Sequence, residues 1–460
     1  MDGILRGVLS AEDRVNLLLT LIHRRVRQPE DWAGLAAAAQ DPNGHSALMP
    51  LVAHMLLPSA DGDRNPHRWL YSLRDTPTAR QALSQLILTV DGALAADAAD
   101  RKTPGRSAAA GVFDLILNQW AMGEGQKGHQ FFTPRPVVRL GVHLLSATGS
   151  ANRIYDPYCR AGGFLEEVVT RLASDPDKPD GVEIYGTNPD PEILGIAAMN
   201  LALHGVDARL ETTNPVDGPT SSDTRRRFDL VFTNPPFNMY LNHDPDLGDR
   251  HWPYGSPPKR NANFAWLQHV ASALDVGGRG AVLMANNAAV SANGREQDIR
   301  AAMVEDSVVE CLIALPARLF SSTGIPVTMW ILKHPAERLD EILLIDASEM
   351  GTMASRTLRS LTDEDISGIS EIYRDWRDGR RTAEPVRRHG AVAASVPLTE
   401  IRRQGYLLHP STYVAVPQQE PKATDARSDL ANAATDLHRL VARASEVDSR
   451  VAALIAEITG

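Results

Sequence analysis

A doubly wound α/β sheet of seven strands is the fold class that this sequence predicts, and three observations predict it. Phe228-Asp229-Leu230-Val231-Phe232-Thr233 suits a central parallel strand covered on both faces, since five of its six residues are β-branched, aromatic or Leu. A strand, a small-residue turn and a helix follow one another through residues 154–172, the shape of a nucleotide-binding first βα unit. Between these two stretches strand and helix alternate: a strand at 183–187, a helix at 191–204 ending near Gly205, and a strand at 208–213.

The other elements fall into place around that centre. Residues 1–105 read as a helical N-terminal domain, with helices at 13–27, 31–40, 46–57 and 78–98 and a linker at 97–106 marked by Lys102, Pro104 and Gly105. A helix over 107–122, with Val112, Leu115, Ile116, Gln119 and Trp120 on one face, opens a central domain spanning 106–350. Residues 238–261 are rich in Pro, Gly and Asp and read as a loop flanking a substrate. A helix at 264–274, a strand at 280–286, a helix at 296–305 and strands at 308–315 and 327–333 complete the sheet, with one more strand at 341–347, at an edge. Residues 351–416 form a mixed extension with a candidate helix over 362–377 carrying Ile366, Ile369, Ile372 and Trp376.

In the last segment, 417–460, Leu430, Leu437, Ala444, Val451 and Ile458 repeat every seven residues, with Ala433, Leu440, Val447 and Leu454 at the complementary positions. That pattern suits a two- or three-helix seam, or a terminal helix folded onto its own domain. The polar, Pro-containing stretch 417–424 before it favours an interaction helix, through which the chain would self-associate or meet another subunit.

Composition narrows the classes. The chain of 460 residues has ample core for two or three domains. Its two cysteines, Cys159 and Cys311, have no metal-ligand spacing, and a cytoplasmic enzyme without disulfides or metal is expected. No stretch approaches the length of a membrane span, and Asp2, Arg6, Glu12, Asp13 and Arg14 break any signal-peptide core. A net charge of −10 leaves little general phosphate affinity. Of the local basic clusters, Arg225-Arg226-Arg227 reads as a charged loop before a strand, whereas Lys259 and Arg260 are the better phosphate candidates.

The strand at 228–233 ends in Asn234-Pro235-Pro236-Phe237, and that corner carries chemistry. Two prolines remove two backbone donors and forbid continuation as helix or strand. The corner is rigid and sits at the carboxyl end of a strand, where open α/β sheets place their ligands. The exocyclic amine of adenine is a poor nucleophile because its lone pair is delocalised into the ring. An Asn oxygen and a Pro-peptide carbonyl can both accept its N–H hydrogens, which frees that lone pair, while Phe237 offers a face for an extruded base. The same logic holds for cytosine N4 or another planar amide nitrogen. The bland alternative is a proline-stiffened turn with a core Phe. Gly162 and Gly163, in the turn after Asp156, let backbone approach a ligand closely, though neither a G-x-G-x-x-G spacing nor a P-loop lysine is present.

Further motifs stand in order around these two: Gly128-His129-Gln130-Phe131-Phe132-Thr133-Pro134, Met199-Asn200-Leu201-Ala202-Leu203-His204-Gly205, Trp252-Pro253-Tyr254-Gly255, Leu315-Pro316 and Thr323-Gly324-Ile325. Together they resemble the modification subunits of type I restriction-modification systems, of the N6 amino-methyltransferase group, over roughly residues 113–333. The resemblance implies a class I methyltransferase (Rossmann-like) sheet, S-adenosylmethionine as cofactor, and adenine N6 in double-stranded DNA as target. It implies Asn234, Pro235, Pro236 and Phe237 as the catalytic corner, with Phe132, Thr133, Pro134, Asp156, Gly162 and Gly163 around the cofactor. With no target-recognition domain in sight, it also implies a separate specificity subunit, and a restriction subunit as a further partner.

Three departures set this chain apart from the family pattern. In its cofactor turn, usually Asp-Pro-Ala-Cys-Gly-Ser/Thr-Gly-Gly, Tyr158, Arg160 and Ala161 stand in place of Ala, the first Gly and the hydroxyl residue. Asn188 replaces the acidic residue expected at the ribose hydroxyls, and Asn214 the Asp expected at the cofactor's adenine amine. Asn188 retains one acceptor without the charge, a loss on the order of 1 kcal/mol per bond. Arg160 either pairs with the methionine carboxylate or partly fills the pocket. The function expected is therefore methyl transfer to adenine N6. The rivals are a scaffold that has kept the fold and lost productive cofactor binding, and methylation of a protein glutamine or of RNA at the same corner. The histidines His129, His204, His251 and His269 fit no ligand pattern, and methyl transfer from a sulfonium requires no strong base.

Overall fold

The computed structural model describes residues 8–41, 45–56, 73–98, 108–123, 132–146, 151–173, 181–216, 226–247, 252–320, 324–381 and 384–414, with Thr435 and Arg439 beyond them. Gly128 to Phe131, Arg225, His251 and Thr323 of the motifs above, and the heptads of 430–458 apart from those two residues, lie outside this set.

Five helices lead the chain: α1 (Ala11–Arg27), α2 (Pro29–Gln40), α3 (His45–Leu56), α4 (Pro77–Ala98) and α5 (Ala108–Gly123). Their apolar stripes meet in one core around Leu17, Leu21, Trp32, Leu83, Ile87 and Phe113. On α5 Trp120 is buried and Val112 and Ile116 pack on this core as expected, but Ala109, Ala110, Phe113 and Leu117 make up the rest of the stripe, while Leu115, 57% exposed, and Gln119 face outward. All of these buried residues belong to the helical core, so packing on the neighbouring helices selects this small and aromatic side.

The sheet follows, with β1 (Arg153–Asp156), β2 (Glu183–Asn188), β3 (Arg209–Thr212), β4 (Phe228–Thr233), β5 (Leu274–Ala285), β6 (Val309–Ala314), β7 (Val327–Lys333) and β8 (Glu341–Asp346). Two short strands, β9 (Thr352–Met353) and β10 (Arg359–Ser360), pair with each other, and β11 (Val386–Arg388) and β12 (Ala391–Pro397) return to the main sheet. The order is β11-β12-β8-β6-β7-β5-β4-β1-β2-β3. The seven expected strands form its β3-to-β6 portion, parallel except for β7, which runs antiparallel between β5 and β6. Residues 341–346 form the expected strand but not an edge: β8 pairs in parallel with β6 and antiparallel with β12, so the extension adds two further strands, β12 and β11, beyond it.

Helices cover both faces. On one side α6 (Arg135–Ser146), α7 (Gly163–Ala173) and α12 (Asp363–Arg377) pack on Leu230, Phe232, Ala281 and Ile313. On the other α9 (Asn263–Ala273), α11 (Gly294–Glu305) and α13 (Leu398–Arg403) pack on Phe228, Val231, Val282 and Leu312. From Leu230 to Phe232 the faces alternate by the period-two rule of a strand buried twice, whereas Phe228 shares a face with Val231 because the register shifts between Phe228 and Leu230. Gly141 of α6 lies so close to the sheet that a Cβ there would run into the Phe232 ring. α8 (Pro191–Leu203) joins the two parts, with Ile193, Ile196 and Leu203 in the helical core and Ala197 and Leu201 in the sheet core. The remaining short helices, α10 (Asn287–Val290) and α14 (Ser411–Val414), sit near the ends of β5 and β12. Since β1 neighbours both β2 and β4, the winding reverses beside it, which opens a crevice at the carboxyl ends of β1 and β4.

Candidate active site

Asp156 ends β1 in that crevice, and the turn after it is built from local bonds. The amide of Tyr158 donates to Asp156 Oδ1 at 3.1 Å, and Cys159 N donates to the Thr187 carbonyl at 2.7 Å. Gly162 adopts φ +82, and a Cβ there would press on Leu201 at 3.0 Å, so conformation and space both require glycine. Gly163, the first residue of α7, has open space beside its Cα, room that a ligand can use. Burial pushes the Asp156 carboxyl up to about 7 against the opposing pull of the Tyr158 amide and the Arg160 guanidinium.

The corner after β4 faces this turn. Asn234 is 4% exposed; its Nδ2 donates to Thr133 Oγ1 at 3.0 Å, while its Oδ1 is buried with no hydrogen-bond partner. Such an orphaned acceptor is costly unless a donor reaches it. Arg160, half-buried, donates from Nε to the Asn234 carbonyl at 3.1 Å, and its guanidinium lies 5.6 Å from the centre of the Tyr158 ring. Arg160 therefore reaches across the crevice to the corner. Pro235 is buried, and Pro236 and Phe237 are half-buried. Phe237 is braced edge-on by Phe320, ring centres 6.3 Å apart.

The third wall is the segment entering α6. Phe132 packs on the helical core, while Thr133 next to it holds Asn234, so neighbouring residues tie the N-terminal helices to the corner. Pro134 caps the approach by accepting the amide of Val138 at 3.1 Å.

Two expected cofactor residues are placed differently. Asn188 has no exposed surface; its Nδ2 donates to the Cys159 carbonyl and its Oδ1 accepts from Asp190 N, both at 2.8 Å. The amide is spent on holding β2 to the turn, so Asn188 does not present an acceptor to a ribose. Asp190, exposed two residues on, does present a carboxylate, and its charge bears on the Tyr158 hydroxyl. Asn214, half-buried, uses Oδ1 to accept from Val216 N at 3.3 Å, and the bond from Thr213 N to the Asn188 carbonyl ties its loop to the end of β2.

Residues that sequence reasoning passed over are Asp190, Phe320, Asn238 and Asn263. Asp190 stood beside a residue already singled out and could have been read as a charged substitute. The others carry no local signal. Arg226 lies 4.9 Å over the Tyr185 ring, in keeping with a charged loop before a strand. Lys259 and Arg260 are exposed, with Arg260 over Tyr240. His204 contacts Asp114 and Glu166 at 3.6 and 3.7 Å and binds the Asn200 carbonyl, a clamp between α5, α7 and α8. Among the described residues no cluster could hold a metal ion, and no helix is long and apolar enough to cross a membrane.

Comparison with known proteins bears on this arrangement. The sequence pattern of the N-6 DNA methylase family matches residues 106–422. The chain is 33% identical over 341 residues to the methylase subunit of the type I restriction enzyme HindI of Haemophilus influenzae, covering 74% of this chain and 76% of that subunit. It is 30% identical over 316 residues to the MjaIX methylase subunit of Methanocaldococcus jannaschii, covering 66% of this chain and 55% of that one. In fold it is similar to the methyltransferase subunit of a type I restriction-modification system from Streptococcus thermophilus, with a TM-score of 0.66 over 90% of this chain and 97% of that one at 20% identity. The chain belongs to the N-6 DNA methylase family, in the group formed by the methylase subunits of type I restriction enzymes.

Proposed function

We propose that Asn234 Oδ1 and the Pro235 carbonyl accept the two N–H hydrogens of a target adenine N6, with the base stacked on Phe237. The transfer itself follows from the family: an N-6 DNA methylase is an adenine-specific DNA methyltransferase, and this chain is one. S-adenosylmethionine supplies the methyl group, as a sulfonium open to displacement by the amine. The observation that carries the residue assignment is the unpartnered, buried Oδ1 of Asn234, oriented because Thr133 holds the other end of the same amide. Drawing both hydrogens toward acceptors returns the lone pair to nitrogen, and the proton leaves to solvent after transfer.

The cofactor pocket that we assign is bounded by Phe132, Thr133, Pro134, Asp156, Gly162 and Gly163. The open space at Gly163 and the first amides of α7 suit an anionic carboxylate. Asp190 takes the ribose diol in place of Asn188, and Asn214 remains beside the pocket. Arg160 acts on the corner rather than on the methionine carboxylate.

As a type I methylase subunit, the chain is one component of a DNA-modifying assembly. We assign reading of the DNA sequence to a separate specificity subunit, because the chain carries a net charge of −10 and so little general phosphate affinity. The test is Asn234→Ala in a radiolabelled methyl-transfer assay with the partner subunit and adenine-containing duplex. Transfer is expected to vanish while affinity for S-adenosylmethionine stays, and turnover near that of the parent chain overturns the assignment.

A further inference from the structure

We propose that Asn238, clasped by Asn263 and Asn287, is the positioning residue that holds the Asn-Pro-Pro-Phe corner in its working shape. The inference rests on assigning Asn234–Phe237 to the target base. Asn238 follows Phe237 directly and has φ 55, a left-handed conformation that Asn tolerates better than most residues. Two bonds close a ring between two side chains and one backbone: Asn238 N donates to Asn263 Oδ1 at 3.0 Å, and Asn263 Nδ2 donates to Asn238 Oδ1 at 2.9 Å. Asn287 Nδ2 donates to the same Asn238 Oδ1 at 3.1 Å.

The clasp is anchored on three sides. Asn263 is 1% exposed at the start of α9, so its amide has been stripped of water and depends on Asn238 for its bonds. Asn287 opens α10, whose Ala289 carbonyl accepts Leu408 N at 2.9 Å from the C-terminal extension. The Met239 carbonyl accepts Ala262 N at 2.9 Å, which fixes the chain immediately beyond. The prolines at 235 and 236 fix two φ angles, and holding the chain at 238 restrains the exit of the corner, and with it the settings open to the Pro235 carbonyl and the Phe237 ring.

Asn238 uses only its oxygen in the clasp. An Asp at this exposed position keeps both acceptor bonds and tolerates the positive φ; Gly keeps the φ and loses the acceptor; Ala loses both. The experiment measures kcat and KM for S-adenosylmethionine in the full chain with its partner subunit, together with thermal melting, for Asn238→Asp, Asn238→Gly and Asn238→Ala. Gly and Ala are expected to lower kcat roughly ten- to hundredfold at unchanged cofactor KM and near-parent melting, with Asp within about threefold of the parent. Full turnover in Gly or Ala overturns the clasp. So does an Asp variant as impaired as Ala, which would mean that the Asn238 NH2 group itself contacts the DNA. Asn234→Ala run in parallel separates the two levels: if it stays active the corner assignment fails, and if it is dead while Asn238→Ala is fully active only the clasp fails.

Discussion

Arg160 Nε donates to the backbone carbonyl of Asn234 across 3.1 Å, so the turn after β1 and the corner after β4 are cross-linked by a side chain. Thr133 holds the side chain of the same Asn234. Asn234 is thus fixed from both the turn after β1 and the segment entering α6, and burial in this crevice lowers the Arg160 proton affinity.

Arg160→Gly should therefore act on turnover more than on the cofactor. A fall in kcat of about tenfold is expected, with a change in the dissociation constant for S-adenosylmethionine below about threefold. Calorimetry beside turnover checks it. A much weaker cofactor with intact kcat would identify Arg160 as a carboxylate partner, and much tighter binding would identify it as an obstruction.

Restoring an acid at position 188 should damage the protein. Asn188 is fully buried and donates to the Cys159 carbonyl. Asn188→Glu would lose that donor and set a carboxylate against a carbonyl oxygen, at a cost of roughly 2–4 kcal/mol. Urea unfolding reads this as a lower midpoint at unchanged slope. A variant that is equally stable and binds cofactor more tightly would show that 188 does face the ribose.

The compensating acid should be Asp190. Its Oδ1 caps α8 by accepting from Glu192 N at 2.8 Å, a role that Asn fills equally well. Asp190→Asn is expected to leave the melting temperature in place and weaken S-adenosylmethionine several-fold, about 1 kcal/mol for one lost charge-assisted bond. Unchanged affinity would remove Asp190 from the ribose. Absence of any heat at millimolar cofactor in the parent chain would instead mean that productive cofactor binding has been lost.

Asp156 gives the pH dependence its sign. Its folded pKa, about 7, lies above the ordinary 3.8 because burial disfavours the charge. Between these values the folded chain retains a proton that the unfolded chain has released, so this group makes stability fall as pH rises through that window. His143, lowered to about 4 chiefly by burial and then by Arg171, Arg139 and Arg374, works the other way below its ordinary 6.5. The quantity to measure is thus the stability of the parent minus that of Asp156→Asn at several pH values. It should decline from about pH 4 to about pH 7, and a flat difference would show that Asp156 is as solvated folded as unfolded.

The order of strands and helices from 153 to 333 and the position of both turns were legible in the sequence, because each rests on local rules. Apolar runs specify doubly covered strands, prolines stop them, and glycines mark turns of positive φ. Local rules cannot say what a side chain meets across the fold. Asn188 and Asp190 are two residues apart, yet only the bond from Asn188 to Cys159, 29 residues away in the chain, decides which of them is spent on structure. No local rule pairs Arg160 with its acceptor, a carbonyl 74 residues on. The two strands that the extension adds to the sheet, the exposure of Leu115 on α5, the Phe320 brace and the clasp on Asn238 share that origin. Each is a contact between distant segments, fixed only when the two faces of the sheet were packed and every buried polar group had to find a partner.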